Sequence, residues 1–165
     1  MAAAIYFAGE PAAGDPPHPP HRKQRVLSTI DRNGSGIELS RGHDPIAPAA
    51  EGFNVRVVED LAELTGQPDR YDWIIASHVI EHVPDMLSFI GELKRLLRKD
   101  GTLYLTTPNG VSYRHLTKNL IWRPSKRIPE IESWPQYLPG KEGHIYYWDV
   151  WTLYRLMHIN GFTYV

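Results

Sequence analysis

An α/β domain, built as three layers around a mainly parallel sheet, is the fold this sequence predicts, and three observations predict it. Short apolar runs, GIELS, FNVRVV, WIIAS and TLYLTT, alternate with longer segments of helical period. WIIAS is apolar without a break, as in a strand covered on both faces. The alternation of strands and helices calls for right-handed crossovers, which place helices on both sides of a parallel sheet. Ligands of such sheets bind beyond the carboxyl ends of the strands.

The chain has 165 residues, a formal charge of -1 and no cysteine. One domain of that length buries roughly 68–70% of the surface its unfolded chain exposes, so it needs no disulfide or thiolate-bound metal. A near-neutral charge gives no general attraction to nucleic acid, which is not expected as a partner, or to an anionic membrane. No window approaches the ~20 apolar residues of a bilayer span. MAAAIYFAGE lacks the basic flank of a secretory signal, and a cytoplasmic location is expected.

Residues 9–21, GEPAAGDPPHPPH, carry too little apolar area to offset ordering. Residues 1–24 are therefore expected to be a disordered Pro/Ala-rich tail, in which His18 and His21 hold no metal, and residues 25–165 the folded domain. From Arg25 onward RVLSTI, GIELS and FNVRVV read as strands, followed by WIIAS. Pro84 and Asp85 then suit the start of a helix, along which Met86, Leu87, Phe89, Ile90, Leu93, Leu96 and Leu97 recur at helical spacing. Lys94, Arg95, Arg98 and Lys99 would complement its dipole, and Gly101 would end it. TLYLTT is the next strand, closed by Pro108, Asn109 and Gly110. A second helix is expected from Val111 to Trp122, then a Pro-rich segment to Gly143. Asp149 caps a third, carrying Val150, Leu153, Leu156, Met157 and Ile159, which stops at Asn160 and Gly161. FTYV opens a last strand.

Directly after WIIAS the chain places His78, Glu81 and His82. Glu81 and His82, at i+3 and i+4 from His78, share a face if the segment is helical. Capping and packing would explain them without chemistry; acid-base work by a histidine and metal binding are the functional readings. Tyr146, Tyr147, Trp148 and Trp151 suit a core before they suit a substrate platform. Arg114, Lys118, Arg123, Lys126 and Arg127 fall in PNGVSYRHLTKNLIWRPSKRI, which has no acidic residue. That segment is either a solvated face or a site for an anion. Leu116, Leu120, Ile121 and Trp122 within it would give weak contact with a membrane surface.

IIASHVIEHVPDMLSFIGELKRLLRKDGTLYLTTPNG resembles the fourth strand, helix and fifth strand of class I S-adenosylmethionine-dependent methyltransferases. GHIYYWDVWTLYRLMHINGF resembles the same family's later His-containing loop and helix. GIELSRGHDPIAPAAEGFNV resembles a variant of its first motif, and together the three cover most of residues 34–165. The resemblance implies a Rossmann-like sheet, truncated here, without a clear third or seventh strand. It implies S-adenosylmethionine as methyl donor and a small-molecule, sugar or lipid acceptor, anionic if the basic segment lies over it. Residues 111–147 would be the insertion that covers that substrate.

By the same resemblance, Glu38 is the acid of the first strand, with Ser40 beside it and Gly42 in the turn that meets the donor. Glu59 is the acid for the ribose hydroxyls, with Asp60 its rival, and Ser77 and His78 complete the cofactor-binding set. A second register would make RVLSTI, GIELS and FNVRVV the first three strands, moving Glu38 to the ribose and Asp60 toward the adenine. A base is needed only for an acceptor whose proton must leave. His82 is the candidate and His144 the second. Some relatives use an E-x-x-E-H run with a later histidine to hold a divalent metal. The counterpart here would be His78, Glu81, His82 and His144 converging on one point, but no metal is expected.

Two departures from the family pattern shape the alternative. SRGHDP keeps a single glycine, Gly42, and EDLAELTGQPDR is too short for a third strand between two helices. A non-catalytic remnant or interaction domain is the rival reading, while a nicotinamide enzyme would need a G-x-G-x-x-G that does not occur. Without a seventh strand, FTYV should either pair directly with TLYLTT in parallel or remain a frayed end, leaving an open edge for self-association.

Overall fold

A computed structural model describes residues 1–8, 21–40, 46–48, 51–64, 70–111 and 146–164. The strands are β1 (Ala2–Ala8), β2 (Gly36–Ser40), β3 (Val55–Val58), β4 (Tyr71–Ser77), β5 (Leu97–Pro108) and β6 (Thr163–Tyr164). They form one sheet in the order β3-β2-β4-β5-β1-β6, every pair parallel. The helices are α1 (His21–Thr29), α2 (Met86–Leu96) and α3 (Val150–Ile159), with 3-10 turns at Leu61–Leu64 and Ile80–His82.

The period of two in a strand divides the core into two layers. Ile74 and Ala76 of β4, with Leu103 and Leu105 of β5, pack against Phe89, Ile90 and Leu93 of α2 and Leu153 and Met157 of α3. On the opposite face Trp73, Ile75 and Tyr104 pack with Val26 of α1, Ile30 just beyond it and Phe53. Helices thus cover both faces, as the unbroken WIIAS run predicts. Ile90, Leu93 and Leu96 are at most 1% exposed, and each such side chain contributes about 1.5–3 kcal/mol.

Trp73 fixes the start of β2. Its indole N–H donates to the Asp31 carbonyl at 3.2 Å, and Phe53 meets its ring edge-on, with centroids 6.4 Å apart. Gly36 lies against that ring so closely that a Cβ would sit 2.3 Å from it.

α2 begins as predicted, with the Asp85 side chain accepting the Ser88 N–H at 3.1 Å. Its end differs from expectation. The helix stops at Leu96, and the fully buried Leu97 already pairs with Tyr71 in β5, so strand pairing and burial of Leu97 outweigh the helical period. A register shift between Tyr71 and Trp73 takes up the extra residues, and Arg98 pairs with Asp72 instead of facing the helix dipole. Gly101 lies inside β5, where a Cβ would come within 2.9 Å of the Asp72 carbonyl. α3 follows prediction at both ends. Asp149 accepts the Thr152 N–H at 2.9 Å, and Lys94 donates to the Asn160 carbonyl at 2.6 Å, just before Gly161 turns at φ 84°.

Three further expectations are corrected. RVLSTI belongs to α1 and the turn that follows: Val26 and Ile30, one helical turn apart, both face the core, and that burial outweighs the strand preference of β-branched residues. The second register falls with it, because β2 lies directly beside β4, with β3 on its other side. The expected tail 1–24 is ordered at both ends. Ala2–Ala8 runs between β5 and β6, where the small side chains of Ala3 and Ala4 are 0% and 6% exposed. FTYV accordingly pairs with β1 and not with β5, and the Thr163 N–H donates to the Met1 carbonyl at 3.0 Å. Among the described residues no strand lies beyond β3, so the sheet is short on that side. The helix expected from Val111 to Trp122 lies almost wholly outside them.

Candidate active site

The chain leaves β2 for β3 on one side and reaches β4 on the other, so the strand order reverses between β2 and β4. Open α/β sheets bind their ligands in the crevice at such a switch point, beyond the carboxyl ends of the strands. Here Ser40 and Ser77 pair across it, 4% and 6% exposed.

Glu38, two residues before Ser40, is fully buried. Its carboxylate accepts the Ile46 N–H at 2.6 Å and the Ala47 N–H at 2.9 Å. The side chain is thereby turned to the backbone of the following loop and holds the far end of it. Burial raises its pKa above the ordinary 4.5, and the two backbone hydrogen bonds oppose that rise. Gly42, in the same loop, lies outside the described residues.

At the end of β3 two neighbouring acids divide their tasks. Asp60 accepts the Ala62 N–H at 3.0 Å, and Glu63 returns a carboxylate oxygen to the N–H groups of Glu59 and Asp60 at 2.9 and 3.1 Å. This reciprocal cap starts the Leu61–Leu64 turn. Glu59 is exposed, and its own carboxylate has no hydrogen-bond partner among the described residues.

Among the described residues, the turn after β4 is the most heavily bonded part of the crevice. His78 has φ 53°, a left-handed conformation uncommon outside glycine, and its N–H donates to the Thr106 carbonyl at 2.9 Å. Its Nδ1 lies 3.2 Å from Oε1 of Glu81, which is 1% exposed. The Thr107 hydroxyl donates to the other Glu81 oxygen at 3.1 Å, and the Tyr146 N–H to the Glu81 carbonyl at 3.1 Å. Burial raises the Glu81 pKa, but the His78 hydrogen bond, a backbone hydrogen bond and the electrostatic influence of the neighbouring imidazoles outweigh it and hold it below the ordinary 4.5. The Thr106 hydroxyl donates to Ser77 Oγ at 3.1 Å. His82 is half-buried, and its N–H closes the turn on the Val79 carbonyl at 2.9 Å.

Thr106 and Thr107, at the end of TLYLTT, did not stand out in the sequence. Two hydroxyls ending a buried strand were the signal available. The aromatic run divides: Trp148 is 7% exposed and joins the core, whereas Tyr147 and Trp151 are 61% and 76% exposed. His144 and the basic residues from Arg114 to Arg127 lie outside the described residues. Among the described residues no three His, Asp or Glu side chains converge as metal donors, and no helix is long and apolar enough to cross a membrane.

A family model described as a methyltransferase domain matches residues 20–165. The ubiquinone biosynthesis O-methyltransferase of Xanthomonas campestris pv. campestris (strain B100) is 34% identical over 83 residues, 50% of this chain and 34% of the relative. That of Actinobacillus pleuropneumoniae serotype 5b (strain L20) is 29% identical over 90 residues, 53% of this chain and 38% of the relative. The mitochondrial one of Homo sapiens is 28% identical over 83 residues, 50% of this chain and 22% of the relative. The match therefore spans well under half the length of these relatives. No solved structure matches.

Proposed function

The chain belongs to the class I S-adenosylmethionine-dependent methyltransferase family, and from that premise we propose that it transfers a methyl group to a hydroxyl oxygen of a small-molecule acceptor. The observation that carries this reading is the exposed Glu59 carboxylate, without a hydrogen-bond partner among the described residues and one strand away from the Ser40–Ser77 switch point. A carboxylate there suits the two hydroxyls of a ribose, each of which donates a hydrogen bond. The printed names of the relatives, O-methyltransferases, support oxygen as the accepting atom.

In this proposal Glu59 accepts from the ribose of the donor, and Asp60 keeps the end of β3 in shape through its cap. Ser40, Ser77 and the backbone of His78 line the crevice. Gly42 provides the close turn against the methionine part of the donor, while Glu38 acts indirectly, by holding the far end of that loop. When bound, S-adenosylmethionine supplies a methyl carbon already activated by a sulfonium. The protein's task is then to hold an acceptor oxygen in line with that carbon and to keep water out. Residues 111–147 form the cover over the acceptor, where the cations from Arg114 to Arg127 favour an anionic one and Leu116, Leu120, Ile121 and Trp122 touch a membrane surface. His82 and His144 are the sequence's candidates for removing the hydroxyl proton. Cytoplasmic location and weak self-association belong to the same reading.

Incubation with methyl-labelled S-adenosylmethionine and catechol as a hydroxyl probe tests it. Label on catechol oxygen supports the reading. Label that reaches only an amine probe such as aniline contradicts it.

A further inference from the structure

Residues 146–148 form a short strap between the turn after β4 and the end of β5. The Tyr146 N–H donates to the Glu81 carbonyl at 3.1 Å, and the Gly110 N–H to the Trp148 carbonyl at 2.8 Å. Asn109 and Trp148 are paired in a parallel bridge. Directly paired residues, and residues two apart along a strand, share one face of a sheet. Leu103, Leu105, Thr107, Asn109 and Trp148 therefore stand on the same side. Trp148 packs there in one cluster with Leu103 and Leu105, and the Thr107 hydroxyl reaches Glu81 at 3.1 Å.

Two groups at this bridge have hydrogens to donate and no acceptor. The Trp148 indole N–H is buried and has no hydrogen-bond partner among the described residues. Asn109 is half-buried, and its Oδ1 accepts the Val111 N–H at 3.1 Å. That bond fixes which way the amide is turned, and its Nδ2 donors have no partner among the described residues. Folded chains pair nearly all buried donors, with protein or with water. An open buried donor beside a half-buried amide, at the carboxyl end of a strand next to β4, is a place that a ligand completes.

We propose that Asn109 and Trp148 bind the methyl acceptor through a neutral carbonyl oxygen carried beside its hydroxyl, a specificity that rests on the methyl-transfer reading and deepens it. The indole N–H and the amide NH2 only donate, so the ligand atom between them must accept. A carbonyl oxygen has two lone pairs, one for each donor. A carboxylate suits the place less well, because the Glu81 carboxylate stands on the same face, held by Thr107, and like charges in one site disfavour each other. An anionic group elsewhere on the acceptor is compatible with this arrangement. A site built to hydrogen-bond one oxygen discriminates against analogues that lack it, since its own polar groups are then left unpaired.

NMR on the full 15N-labelled chain with S-adenosylhomocysteine bound tests this, with the Trp148 indole and Asn109 amide signals assigned on the wild-type chain. Protocatechualdehyde, a catechol bearing a carbonyl, should bind and move both signals, whereas catechol should move neither. Protocatechuate, which bears a carboxylate instead, should bind about tenfold more weakly than the aldehyde. Asn109→Asp keeps the oxygen that receives the Val111 N–H but removes both donors, and should weaken the aldehyde about tenfold. An aldehyde that fails to bind, or that binds and leaves both signals where a trapped water on the indole would leave them, overturns the proposal; neither result depends on a variant that folds. Protocatechuate binding as tightly as the aldehyde also overturns it. Failure of S-adenosylhomocysteine itself to bind overturns the methyl-transfer reading, and the carbonyl site with it. Binding of S-adenosylhomocysteine with no preference for the aldehyde over catechol overturns the carbonyl site alone.

Discussion

The Glu38 carboxylate accepts the Ile46 N–H at 2.6 Å, tying the end of β2 to the far side of the loop that follows it. With the Ala47 N–H on the other oxygen, this buried side chain satisfies the backbone donors of two buried residues. Glu38→Gln keeps the shape but places an amide N–H against one of them. It should destabilise the fold by about 1–3 kcal/mol, the cost of a buried group without a partner. A lower urea midpoint at unchanged slope is the expected result, and a midpoint like wild type would show that the loop does not depend on the tie.

Glu59 and Asp60 are neighbours with separable effects. Glu59→Ala should weaken S-adenosylhomocysteine binding by about 1–3 kcal/mol and leave stability near wild type, since that carboxylate anchors nothing among the described residues. Asp60→Ala removes a cap and should lower stability by about 0.5–2 kcal/mol. Calorimetry and thermal unfolding on the two variants separate the roles, and equal loss of affinity in both would contradict the division.

Glu81 and Glu38 should bend the pH dependence of stability in opposite directions. The folded-state pKa of Glu81 lies below 4.5, so the unfolded chain binds more protons there. Its contribution is complete above 4.5 and disappears as pH falls through the folded value. The folded-state pKa of Glu38 lies above 4.5, so the folded chain binds more protons, and stability falls as pH rises from 4.5 through that value. Urea unfolding between about pH 3 and 7 should show a shallower acid-side loss in Glu81→Gln and a steeper one in Glu38→Gln.

Gly36→Ala tests the packing of the first strand on Trp73. The added methyl would lie 2.3 Å from the indole ring, which is itself held by Asp31 and Phe53. Overpacking of a filled core costs about 1–3 kcal/mol. Thermal unfolding should show the loss, and Trp73→Leu in the same chain should recover part of it.

The parts of the fold that could be read in advance were those where one period ran long enough to decide. WIIAS, the α2 pattern from Met86 and the capped α3 fall where the sequence puts them. RVLSTI was misread because its β-branched residues suggest a strand, while the positions that matter, Val26 and Ile30, sit one helical turn apart. MAAAIYFA was missed because it precedes a Pro-rich run and its small residues gain their burial from partners distant in sequence, the neighbouring strands β5 and β6 and the core on either face of the sheet. At the site, the neighbourhood of His78, Glu81 and His82 was legible from their place after a buried strand. Which of them pair was not, since that depends on the left-handed His78 backbone and on Thr107 from another strand.

Calorimetric titration of the chain with S-adenosylhomocysteine, alongside NAD, tests the central claim most directly. The account predicts one S-adenosylhomocysteine bound per chain and no heat from NAD. Binding of NAD, or of neither, would contradict it.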